Sequence, residues 1–129
     1  MSTDLEEVPL DVKNKIQGIG YAHIAAGVIN LLLSFLWAIS GVMGVLYVVG
    51  VVFCCPAILL LPIGLYELYV GWQHLQPDHS QLRAPRMVAY ADFTALLGFS
   101  VLSAAMGALT LMLLNDPKVK AYYEARGGY

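Results

Sequence analysis

Three titratable side chains stand within otherwise apolar sequence: His23, Glu67 and Asp92. Two carboxylates and an imidazole are the groups from which a proton or cation site is made, because carboxylates attract positive charge and histidine exchanges a proton near neutral pH. The same residues also suit a structural role. They can form a hydrogen-bond network between helices, or reach toward lipid headgroups and pair with Arg83 and Arg86. Burying an Asp at the centre of a membrane helix costs roughly 2.5–3.5 kcal/mol on insertion scales. Groups nearer the interface cost less, so the structural role is the first expectation and the proton or cation site the alternative.

Other residues with chemical potential give weaker patterns. His74, Asp78 and His79 surround Pro77, but two histidines in a loop without a third firm ligand do not make a metal site, and a solvated loop is expected. Cys54 and Cys55 are adjacent, which suits neither a disulfide framework nor zinc spacing, and they read as small apolar filler. The chain has no glycine-rich phosphate loop, no His-Glu-x-x-His and no nucleophile elbow, so neither an enzyme nor a cofactor is expected. A net charge of −2 without a Lys/Arg cluster excludes a nucleic-acid footprint.

These residues need membrane elements to position them. Of 129 residues, 59% are apolar and 12% charged, where a soluble domain carries about 25% charged residues. No Asp, Glu, Lys or Arg occurs from Ile16 to Tyr66, or from Phe93 to Asn115. A helix needs about 20 apolar residues to cross a bilayer. The first run, extended to Leu75, suits two crossings and the second suits one. The expected fold is therefore an all-α transmembrane bundle of three spans, near Gln17–Ile39, Val45–Leu75 and Met87–Leu114. The turn between the first two is placed at Gly41 to Gly44. In the alternative, the second region breaks at Pro56 and Pro62 to give four helical segments.

One membrane domain covers residues 1–129. Residues 1–16 form an interfacial lead-in, 17–114 the bundle, and 115–129 a C-terminal helix and tail. Asn115-Asp116-Pro117 carries an N-cap followed by proline at the first helical position. Val119, Tyr122 and Tyr123 share one face of an amphipathic helix expected to lie on the membrane surface. Tyr21, Tyr69, Trp72 and Tyr90 mark one interface, and Trp37 and Tyr47 the other. Three spans place four basic residues on one side and three on the other, whereas the four-segment alternative gives five against two. With three spans, His23, Glu67 and Asp92 lie at similar depth near one leaflet.

Small residues suggest close helix packing. Gly18, Ala22, Ala26 and Asn30 recur every four residues in the first span, and Ser100, Ala104 and Ala108 in the third. Such faces let backbones approach, and Asn30 can hydrogen-bond across the contact. Internal packing and association account for them equally well. The expected function is assembly, as a homo-oligomer or an accessory subunit of a larger membrane protein. A small channel or transporter component using His23, Glu67 and Asp92 is the alternative. Gly64 to Gly71 (Gly-Leu-Tyr-Glu-Leu-Tyr-Val-Gly) and Leu114 to Tyr123 (Leu-Asn-Asp-Pro-Lys-Val-Lys-Ala-Tyr-Tyr) resemble small bacterial multi-span membrane proteins. Many of those end in Asp-Pro-x-Val-Lys-x-Tyr. The resemblance implies a bacterial inner-membrane location, with the lipid bilayer as partner, and some of those proteins look four-spanning.

Overall fold

The computed structural model describes residues 8–44, 50–80 and 82–128. Among them the regular structure is helical: α1 (Leu10–Gly44), α2 (Gly50–Leu75), α3 (Arg86–Thr94), a 3-10 segment (Ala95–Gly98), α4 (Val101–Leu114) and α5 (Pro117–Glu124). Two helices, α1 and α2, are long and apolar enough to cross a membrane. Their 35 and 26 residues extend about 52 and 39 Å at 1.5 Å per residue.

A file of small residues at every seventh position joins α1 to α2 in antiparallel register. Gly20 lies against Gly71, Gly27 against Gly64 and Gly41 against Gly50, while Ser34 donates to the Ala57 carbonyl at 2.8 Å. A Cβ on Gly27 would meet the Gly64 carbonyl oxygen at 2.8 Å, and one on Gly71 would meet that of Gly20 at 2.7 Å. Only hydrogen fits there, so the two backbones touch. Gly41 and Gly44 are helical, not a turn, because Gly41 belongs to this file. Residues 45–49, including Tyr47 of the expected second aromatic belt, lie outside the described residues.

The proline break expected as the alternative does not occur, since α2 runs through Pro56 and Pro62. Each proline removes one backbone hydrogen bond from the helix, and the remaining bonds carry α2 past both positions. The chain turns instead within the expected third span. After the 3-10 segment, Phe99 adopts a left-handed conformation at φ 66°, and α4 folds back along α3. Gly107 permits the return, because a Cβ there would stand 2.6 Å from the Ala89 carbonyl oxygen. At the tip, Gly98 packs on Leu60, its carbonyl accepts from Trp37 Nε1 at 3.1 Å, and the Phe99 ring leans on Trp37. Trp37 lies seven residues, roughly two turns, before the end of α1 at Gly44. The two legs of this hairpin are each about 20 Å long.

The hairpin returns the chain to the end where α1 begins. There α5 docks on the protein, with Val119, Tyr122 and Tyr123 buried against Val12, Ile16, Ile19, Leu82 and Leu114. Its apolar face is thus spent on the bundle instead of on a membrane surface. Asp116 caps it, accepting from Lys118 N at 3.0 Å and Val119 N at 3.3 Å. The Lys15–Asp116 and Lys118–Asp11 pairs, each 2.6 Å, tie α5 to the start of α1. The lead-in expected over residues 1–16 is continuous with α1 from Leu10 onward. All seven Lys and Arg residues (13, 15, 83, 86, 118, 120 and 126) therefore collect at one end of the molecule.

Solvation is inverted relative to a water-soluble bundle. Large apolar side chains such as Phe35, Ile58 and Leu97 are 65%, 72% and 75% exposed. His23, Asn30, Ser34, Glu67, Asp92, Ser100, Ser103 and Thr110 are buried between the helices.

Candidate cation site

His23, Glu67 and Asp92 come from α1, α2 and α3, yet each offers a ligand atom within 4.8 Å of the others. All three side chains are buried. They converge because each stands two turns or so in from the charged end: His23 follows Lys15 by eight residues, Glu67 precedes His74 by seven, and Asp92 follows Arg86 by six. At 1.5 Å per residue these depths are about 9–12 Å.

The three groups are held differently. Glu67 is anchored by two donors, Asn30 Nδ2 at 2.6 Å on one oxygen and Ser103 Oγ at 3.1 Å on the other. Asn30 also donates to Ser103 Oγ at 2.9 Å. His23 places Nδ1 3.9 Å from Asp92 Oδ2, while its Nε2 meets Thr110 Oγ1 at 3.5 Å. Neither oxygen of Asp92, nor His23 Nδ1, has a well-formed hydrogen bond among the described residues. Buried polar atoms are nearly always paired, with protein groups or ordered water, so the atoms of His23 and Asp92 call for a partner. A shared proton or a cation meets that need. Two ionised carboxylates in an apolar interior are otherwise uncompensated.

Of the small residues singled out from spacing, Ala22, Ala26, Asn30, Ser100 and Ala104 are buried inside one copy of the chain. Gly18 faces open space, and Ala108 is half-buried. Asn30 belongs to the site as an anchor for Glu67. Ser103 and Thr110 are the anchors that sequence reasoning did not assign; with Gly107 they recur at helical spacing on α4. The α1–α2 small-residue file, period seven, also went unread beside the period-four pattern.

His74, in the last turn of α2, and His79, in the loop that follows, are not solvated. His74 Nδ1 lies 2.7 Å from the Val70 carbonyl and Nε2 3.0 Å from the Tyr123 hydroxyl. His79 Nδ1 is 2.6 Å from the Tyr122 hydroxyl. Both imidazoles are buried beneath α5, because Tyr122 and Tyr123 bring polar tips into an apolar cap and need partners there. Burial holds the His79 imidazole below the ordinary histidine range and pushes the Tyr123 phenol up. Lys15 hydrogen-bonded to Asp116 lowers that carboxyl, and Asp11 raises Lys118. Cys54 packs beside Gly41, and neither it nor Cys55 is in a disulfide.

A cleft of about 620 Å³ opens at the charged end, walled by Tyr66, Tyr69, His74, Arg83 and Arg126. It does not include the three-residue cluster. Val70 and Val88 form part of its wall, and they lie one helical turn from Glu67 and Asp92 respectively. No protein-family model, curated protein or solved structure matches this chain.

Proposed function

We propose that this chain is an integral membrane protein that takes up and exchanges protons or cations at the His23–Glu67–Asp92 cluster, as a small channel or transporter component. The observation carrying this reading is the convergence of three buried ionisable groups from three helices within 4.8 Å, inside a perimeter that only lipid or another apolar surface would cover. Ionisable residues in such a position are costly and mark ion or proton pathways. The charged-end cleft supplies an aqueous approach that Val70 and Val88 separate from the cluster. Seven basic residues at that end, with none between Gln17 and Tyr66, favour a cytoplasmic face there by the positive-inside rule.

The test is proton uptake into proteoliposomes driven by a potassium-diffusion potential. Flux above that of empty liposomes, abolished in Glu67→Gln, agrees with the proposal. Flux equal to empty liposomes removes it.

A second reading, assembly as a homo-oligomer or an accessory subunit of a membrane complex, has one specific support. Gly18 opens outward with nothing within 4 Å of a Cβ built on it, leaving room for a second helix. Native mass spectrometry from gently extracted membranes separates a homo-oligomer, a mixed complex and a monomer. The resemblance of Gly64 to Gly71 and Leu114 to Tyr123 to small bacterial multi-span proteins supports a bacterial inner membrane as the location.

A further inference from the structure

We propose that His23, Glu67 and Asp92 bind one divalent first-row transition-metal ion, with zinc as the representative. This rests on the reading of the cluster as a cation site and names the cation. Three features of the geometry support it. The ligand atoms lie within 4.8 Å of one another, with His23 Nδ1 3.9 Å from Asp92 Oδ2. Metal–nitrogen and metal–oxygen bonds of about 2.0–2.2 Å put neighbouring ligands about 3–3.5 Å apart, so closing on an ion needs movement of about 1 Å. Charge is matched as well: two carboxylates and a neutral imidazole bring two negative charges, which a divalent ion cancels in an interior that cannot solvate them.

The third feature is the arrangement around the ligands. A metal-binding imidazole typically uses its other ring nitrogen on a hydrogen-bond partner, and ligating carboxylates are themselves oriented by donors. Thr110 stands at Nε2 of His23, and Asn30 and Ser103 hold Glu67. The atoms of this cluster without a well-formed hydrogen bond are His23 Nδ1, Asn30 Oδ1 and both oxygens of Asp92, all of them buried, and His23 Nδ1 lies 3.9 Å from Asp92 Oδ2. The mixed nitrogen–oxygen set suits zinc, iron or manganese over calcium or magnesium, whose sites use oxygen alone. Cys54 lies beside Gly41 toward the other end of α1, Cys55 follows it in sequence, and neither is part of the cluster.

The experiment uses the full chain without a polyhistidine tag, in nanodiscs, stripped with chelator and then titrated with Zn²⁺. One ion per chain is expected, with affinity falling about 100-fold or more in Asp92→Asn and His23→Gln. Thr110→Val should weaken it about 10-fold, as loss of a supporting partner does. His79→Gln, a control for the histidines under α5, should leave binding unchanged. No binding by the wild type, or binding unchanged in Asp92→Asn and His23→Gln, overturns the proposal. Should those variants not fold, the Co²⁺ form of the wild type decides. Visible ligand-field bands without a thiolate charge-transfer band are expected, and a thiolate band would assign the ion to cysteine and overturn the site. Binding of one Zn²⁺ without any proteoliposome flux would uphold the metal site and end the translocation reading. Flux lost in Glu67→Gln by a protein that binds no metal would do the reverse.

Discussion

Replacing Gly71 with alanine tests the packing that brings the three ionisable groups together. A methyl at Gly71 would lie 2.7 Å from the Gly20 carbonyl oxygen, 2.7 Å from Ile24 Cγ1 and 2.9 Å from Ile24 N. Ordinary carbon contacts are about 3.5–4.0 Å, so the overlap is about 0.7 Å against two backbone atoms that cannot rotate away. Overpacking of this kind costs about 1–3 kcal/mol. Alanine recovers about 0.8–1 kcal/mol of helix propensity over glycine. The net expectation is a destabilisation of about 0–2 kcal/mol, together with a wider separation of α1 and α2. Gly18→Ala is the internal standard. It meets nothing within 4 Å, so it should gain the propensity without the clash. The informative quantity is the difference between the two variants, about 1–3 kcal/mol, from reversible unfolding of micelle-embedded protein in sodium dodecyl sulfate followed by circular dichroism. Equal stability of Gly71→Ala and Gly18→Ala would refute the close antiparallel contact. Because Glu67 is one turn from Gly71, the same variant should also weaken any ligand binding at the cluster.

Other perturbations probe separate parts of the account. Tyr123→Phe removes the hydroxyl that partners buried His74 and should cost about 1 kcal/mol in the same unfolding assay, whereas Tyr123→Ala should cost about 3–5 kcal/mol through the cavity it leaves. His79 is held neutral below its ordinary value of 6.5. An unfolded His79 therefore takes up a proton that the folded one resists, so the α5 cap keeps full stability above pH 6.5 and loses it as pH falls through the lower folded value. Hydrogen exchange of the α5 amides should accelerate in that acidic window, and less so in His79→Gln. Val88→Ala should open the wall between cleft and cluster and raise proteoliposome flux; a rate equal to wild type would mean that the route lies elsewhere. Reporter fusions at both termini should fall on one side of the membrane, and opposite sides would contradict the returning hairpin.

Much of the helix inventory was legible because charge-free length and apolar content act locally. The N-cap at Asp116 and the shared face of Val119, Tyr122 and Tyr123 followed from short-range rules, and both occur. What that face packs against did not follow, since a buried amphipathic stripe reads the same whether lipid or protein covers it. The expected third span is divided into two legs for a related reason. Two short apolar legs have the hydropathy of one long helix, and the turn rests on Phe99 in a left-handed conformation, stabilised by Trp37 and Leu60 from distant sequence. Pro56 and Pro62 offered a stronger local signal for a break, but the helix absorbed them. His23, Glu67 and Asp92 could be set at one depth by counting residues from the charged end, and they do meet. Their anchors were less visible, because Ser103 and Thr110 are ordinary small polar residues until Asn30 and His23 lie opposite them.

Solid-state magic-angle-spinning NMR in lipid bilayers tests the central claim most directly, with protein labelled with ¹⁵N-histidine and ¹³C-aspartate and glutamate. The geometry predicts dipolar contact between His23 Nδ1 and the Asp92 carboxyl carbon, at the separation implied by 3.9 Å to its oxygen, lost in Asp92→Asn through its missing label. Spectra that resolve the histidine and carboxyl signals, yet show no contact from His23 to either Asp92 or Glu67, would contradict the cluster and the function built on it.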